Sequence, residues 1–153
     1  MHYKCQVRVK IENNHAFLVK FFLKLFLKKM NELSVEKIEK SYIEDIYGFA
    51  ADAAFISGDY KESIKFYKQQ ALINENEKNI QRVVISAYKE KEYELLDEWF
   101  KKYSENYGIK GNLSRDVYLS YGNSKEERKR PNEAEKVYSE YLMTKSDTAL
   151  QIN

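Results

Sequence analysis

His2, His15 and Cys5 are the residues of this chain best suited to proton transfer, metal ligation or nucleophilic attack, and all three fall in its first fifteen positions. Imidazole and thiol chemistry both need a neighbour that sets a pKa or orients the group. Neither histidine has one at a suitable spacing. A single cysteine forms no internal disulfide and no metal-ligand pair; it reads as a free thiol in a reducing cytoplasm. The sequence holds no glycine-rich phosphate loop, no Gly-x-Ser-x-Gly elbow and no His-Glu-x-x-His helix. Carboxylates are plentiful, 24 Asp and Glu in 153 residues, but neighbours such as Glu133 and Glu135 read as solvated helix faces. The expectation is no catalytic residue, no cofactor and no metal site, so that function rests on a surface.

That surface must be carried by helices. Five glycines and one proline, Pro131, are too few for the tight turns of an all-β domain. Hydrophobic residues make up 43% of the chain and charged ones 33%, a balance that suits a soluble globular fold. Thirteen tyrosines and eight phenylalanines suggest helix faces packed through aromatic knobs. The formal charge of +2 hides an asymmetry: residues 1–29 hold seven bases and one acid, +6, which leaves −4 for the remainder. Two parts of different character are expected, a basic N-terminal segment over 1–33 and a helical domain over 34–153.

Between His2 and Glu12 apolar and polar residues alternate, the pattern of a half-buried strand. From Ala16 to Lys29 the chain turns strongly apolar, with Lys20, Lys24 and Lys28 one helical turn apart. The run is too short and too often interrupted by lysine to span a membrane, and it lacks the small-residue cleavage site of a secretory signal. A basic amphipathic helix packed against the following helices is the preferred expectation. A helix lying on a membrane surface and an upstream extension outside the fold stay open beside it.

From Ser34, a plausible N-cap, the spacing predicts six helices. Ile38, Tyr42, Ile46, Phe49, Ala50, Ala53 and Ala54 share one helical face, which Ser57-Gly58-Asp59 ends. Asp59 and Glu62 form a capping pair that opens the next helix, closed at Asn74-Glu75-Asn76. Further helices are expected over 77–89, 93–105, 114–126 and 131–144, with a loop at 106–112. Proline at 131 suits a helix start.

The segment from Tyr47 to Tyr67 resembles a tetratricopeptide repeat, a helix pair with a bulky opener, a close-packing small pair and a small residue in its second helix. Here these are Tyr47, Ala50-Ala51 and Ser63, with Ala54 in place of an aromatic and Gly58-Asp59-Tyr60 at the inter-helix turn. Ile80, Val83-Val84, Ala87, Tyr93, Leu96 and Phe100 repeat the pattern, as do Tyr118, Tyr121-Gly122, Pro131, Ala134 and Tyr138. Opener and small-residue site stand 16 residues apart in all three copies, 47 to 63, 80 to 96 and 118 to 134. The family's closing proline is absent, and Leu96 is bulkier than the pattern.

The resemblance implies an all-α, right-handed superhelix of about three antiparallel helix pairs, a solenoid whose concave groove is lined by the first helix of each pair. It implies a scaffold-like role in binding a peptide or partner protein. The groove residues would be Asp45, Asp52, Phe55, Lys78, Gln81, Ile85, Tyr88, Lys89, Asp116 and Asn123, apolar ones for anchoring and polar ones for register. Gly48 and Asp52 replace the basic residues with which some family members grip a C-terminal carboxylate. An alternative is a fragment or relative of peptide-sensing bacterial regulators, which Tyr42 to Ala54 resembles, although no DNA-reading helix-turn-helix precedes it. Nucleic acid is not the expected partner, since acids dilute the basic run 125–130; the N-terminal segment is the stronger candidate for phosphates or anionic lipid. Homo-oligomers are a further expectation, because little chain follows the last helix to cover its apolar edge.

Overall fold

The structure, a computed structural model, describes residues 40–150 and, upstream of them, Phe21, Leu25 and Lys28, each in a helix. The strand expected over 2–12, the cap expected at Ser34 and the boundary expected at 33/34 lie outside these residues. Among the described residues the only regular elements are helical: α1 (Lys40–Ile56), α2 (Tyr60–Ile73), α3 (Glu77–Glu90), α4 (Tyr93–Asn106), a 3-10 turn (Gly108–Lys110), α5 (Ser114–Glu127) and α6 (Pro131–Leu150). The expected loop at 106–112 thus contains a helical turn. The last helix runs to Leu150 rather than 144, because neither glycine nor proline interrupts the chain there. Two compact units divide the chain, Met1–Asn74 and Glu75–Asn153, with α1 and α2 in the first and α3 to α6 in the second.

Each pair is an antiparallel hairpin. In the first, Asn74 bonds Glu44 and Tyr67 bonds Asp52, so partners move apart in sequence as the helices leave the turn. In the third, Lys125 meets Glu133 and Asn123 meets Tyr138 in the same manner. In the second, Tyr103 near the end of α4 reaches Glu77 at the start of α3.

The three reversals are alike. Gly58, Lys91 and Lys129 have φ of 78°, 63° and 59°, and each stands eleven residues after its opener, Tyr47, Ile80 or Tyr118. At each turn the following N–H donates back five residues to a helical carbonyl: Asp59 to Ala54 at 2.9 Å, Glu92 to Ala87 at 3.0 Å and Arg130 to Lys125 at 2.9 Å. These left-handed closures satisfy carbonyls that a helix end leaves without partners. The next helices then begin on caps: the Asp59 carboxylate accepts from Glu62 N at 3.1 Å, and Asn76 caps α3 by accepting from Asn79 N at 3.0 Å.

In the first unit the small residues Ala50, Ala51, Ala53 and Ala54 of α1 are buried, as are Ile64, Phe66 and Tyr67 of α2. The second unit has a bulkier core of Ile80, Val83, Val84, Leu96, Trp99, Tyr103, Val117 and Tyr118. Ser63, Leu96 and Ala134, the three matched positions of the second helices, are all buried. Leu96 is therefore accommodated in place of a small side chain.

A left-handed backbone strains any residue with a β-carbon by about 1–2 kcal/mol. Lys91→Gly and Lys129→Gly should each raise unfolding stability by roughly 1 kcal/mol, less the extra freedom glycine gives the unfolded chain. Gly58→Ala should lower it by a similar amount. Urea titrations of the three variants check these signs.

Candidate functional site

In the second unit the two first helices, α3 and α5, lie side by side and run parallel. Glu77 at the start of α3 accepts from Leu113 N, just before α5, at 2.7 Å. Near the other end, Tyr88 Oη donates to Glu127 Oε1 at 3.1 Å. One face of α3 buries Ile80, Val83, Val84 and Ala87; the other carries Lys78, Gln81, Ile85, Tyr88 and Lys89. Of these, Lys78 and Lys89 are exposed and Gln81, Ile85 and Tyr88 half-buried. On α5, Asp116 and Leu119 are exposed and Asn123 is half-buried. Seven of the ten expected groove residues thus lie on two adjacent helices. The other three, Asp45, Asp52 and Phe55, belong to α1 in the first unit.

Not all of them point a free group outward. Asp52 Oδ1 accepts from Tyr67 Oη at 2.6 Å, and Asn123 Oδ1 accepts from Tyr138 Oη at 2.6 Å. Both pairs are 15 residues apart and join the first helix of a hairpin to the second. The corresponding pair in the middle copy is Ile85 and Phe100, apolar on both sides. These clasps are legible in the sequence as an exchange of two polar partners for two apolar ones, a signal that the expected groove leaves out. Phe55 likewise packs edge-on against Tyr60, ring centres 5.2 Å apart at 68°.

A knot of charge closes one end of the α4–α5 contact. Arg128 grips Asp97 with two bonds, Nη1 to Oδ2 at 2.8 Å and Nη2 to Oδ1 at 2.9 Å. Lys125, buried, reaches Asp97 Oδ1 at 3.4 Å and Glu133 Oε2 at 3.3 Å. Aromatic rings surround these cations: Tyr121 stands 4.6 Å from the Lys125 ammonium and Tyr93 lies 4.9 Å from the Arg128 guanidinium. Tyr121 also stacks on Phe100 at 3.5 Å with 6° between the planes. The hydrogen bonds from Arg128, reinforced by the charge of Lys125, hold the Asp97 carboxyl below its ordinary pKa. Burial alone would lower the Lys125 pKa, but Tyr121, Asp97 and Glu133 outweigh it and the value is raised. Two bases of the 125–130 run are therefore engaged within the protein.

Glu127 links this knot to the outer face of α3. It accepts from Tyr93 Oη at 2.7 Å as well as from Tyr88, and Lys91 stands 3.8 Å away. The bond from Tyr93 is the largest cause of its lowered pKa. Tyr88 is shifted up, first by burial and then by this carboxylate, so it remains a neutral donor at physiological pH.

Gly122 makes room for Tyr138, because a β-carbon there would overlap the tyrosine ring. Among the described residues no group of three or more His, Cys, Asp or Glu is placed to hold a metal ion, and no helix is long and apolar enough to cross a membrane. No protein-family model, no curated protein and no solved structure matches the chain.

A carboxylate whose folded pKa is depressed stabilises the fold above its unfolded value, near 4, and loses that contribution as pH falls through the folded value. Acid titration should therefore destabilise the second unit progressively below about pH 4. Asp97→Asn should cost about 1–2 kcal/mol at neutral pH, toward the lower end because solvent reaches the pair. The variant should also flatten the acid limb, as measured by urea unfolding across pH. Gly122→Ala should cost a further 1–3 kcal/mol, as estimated for overpacking, by displacing Tyr138 from Asn123.

Proposed function

We propose that the protein is a non-enzymatic, tetratricopeptide-like binding module of the cytoplasm. Its helix pairs follow one another in a right-handed superhelix, and α3 and α5 hold a peptide or partner-protein segment. The observation that carries this reading is the parallel seating of α3 beside α5, a seam open along its outer face. Ile85, Tyr88 and Leu119 offer apolar anchors there, and Lys78, Lys89 and Asp116 offer charges of both signs. Such a mixture suits an extended or helical peptide, with energy from a few apolar side chains and register from polar ones. Tyr88 adds a fixed hydroxyl, because Glu127 orients it.

Rigidity favours the same role. The hydrogen-bonded clasp of Asn123 and the ion knot behind α5 fix the helices before a ligand arrives, and a preorganised surface loses less entropy on binding.

Lys78→Glu combined with Lys89→Glu reverses two exposed charges on this face without touching the core. Capture of partner from a native lysate, read by pull-down with mass spectrometry, should fall at least about tenfold, a loss of roughly 1.4 kcal/mol. Helicity and melting temperature should stay unchanged. Undiminished capture would falsify the assignment of the face.

A further inference from the structure

The two helices that line the seam bury the same face and leave the same face open. Ile80, Val84 and Ala87 of α3 are buried, and so are Tyr118, Gly122 and Lys125 of α5, each 38 residues further on. With the helices parallel, the open positions match in the same way: Lys78 with Asp116, Gln81 with Leu119, Tyr88 with Glu126. Lys78, Asp116 and Glu126 are exposed, as is Lys89 beside Tyr88. The charges are therefore sorted by helix, bases along the α3 edge and acids along the α5 edge.

The remaining charges of the two helices do not undo this sorting. Glu77 is taken up by Tyr103 and the Leu113 N–H, and Glu127 by two tyrosine hydroxyls. Arg115 stands at the place equivalent to Glu77, which reaches toward the following helix pair, so Arg115 points away from α3. Glu90 stands at the place equivalent to Arg128, which reaches back to Asp97 of the preceding pair, so Glu90 points away from α5.

Lys78 and Lys89 are eleven residues apart and Asp116 and Glu126 ten, about 15 Å along each helix. Between these ends runs an apolar lane, Ile85 and Tyr88 on one side and Leu119, 40% exposed, on the other. A segment covering the lane meets bases along one flank and acids along the other. An α-helix does so with three of its faces, and about three turns match the length. A strand has two sets of side chains on opposite faces, so seating one set on the lane leaves none for the edges.

We propose, building on the binding-module reading, that the partner segment is an amphipathic α-helix of about three turns, apolar beneath, acidic along one flank and basic along the other. Its acidic flank lies on Lys78 and Lys89, its basic flank on Asp116 and Glu126. A segment with one sign of charge on both flanks is repelled by whichever edge it matches.

The test is a library of lactam-stapled helical peptides selected on the immobilised full chain, with the apolar stripe varied and each flank all Glu or all Lys. Both split orders count together, because turning a helix end for end exchanges its flanks. Split peptides should be enriched at least about tenfold over either uniform class. Lys78→Glu with Lys89→Glu should move the preference to peptides with Lys on both flanks. Asp116→Lys with Glu126→Lys should move it to peptides with Glu on both. All four residues are exposed, and unchanged circular dichroism checks that the variants fold. Equal recovery of split and uniform peptides, a preference that neither variant moves, or recovery of no peptide at all overturns the proposal. The binding-module reading falls only when capture of lysate partners is also undiminished in the variant carrying Lys78→Glu and Lys89→Glu.

Discussion

Every helix pair turns back through one left-handed residue, and that reversal governs the helix beyond it. The turn places Asp59, Glu92 and Arg130 to close on helical carbonyls, and it sets the register at which the second helix returns. Register decides which side chains oppose each other. With it, Tyr67 meets Asp52 and Tyr138 meets Asn123; one residue of slippage would rotate each tyrosine by about 100° around its helix and part these pairs. Glycine makes the reversal freely at 58, whereas Lys91 and Lys129 hold it at a cost in strain that the packed hairpin offsets.

The two units rest on different materials. In the first, alanines on α1 let the helices approach closely, so little apolar area is gained per residue and the large side chains sit elsewhere. The second relies on size and charge. Its two hairpins are joined by the Phe100–Tyr121 stack, worth about 0.5–1.5 kcal/mol beyond burial, and by the bidentate grip of Arg128 on Asp97. Removing one partner of such a pair costs more than the pair itself contributes, because the other charge keeps its desolvation without its compensation.

Much of this architecture was legible in the sequence, because helix signals are local. The cap at Asp59, the stop at Asn74-Glu75-Asn76 and the start at Pro131 each depend on residues within a turn or two of one another, and the opener-to-small-residue spacing of 16 lies within a single hairpin. From the end of α1 at Ile56 onward the element boundaries fell within a few residues of expectation, apart from α6, whose end has no marker. The cross-helix clasps were legible in principle as paired exchanges at a fixed offset. The charge knot was not. Asp97, Lys125 and Arg128 come from different hairpins, and nothing in their separation of 28 and 31 residues distinguishes them from other surface charges. Glu77, holding both Tyr103 and Leu113, escaped notice for the same reason. Lys78, Gln81, Ile85, Tyr88 and Lys89 lie on α3 and Asp116 and Asn123 on α5, and the resemblance carried no signal for which of them a partner within the fold would occupy.

The chain's single tryptophan, Trp99, is buried on α4 with the Lys102 ammonium 5.0 Å from its ring. Its fluorescence is therefore a reporter seated wholly in the second unit, while far-ultraviolet dichroism sums over every helix. The protein thus comes with its own means of separating two signals. A gap between the two melting curves would measure how far one half of the molecule can open while the other remains folded.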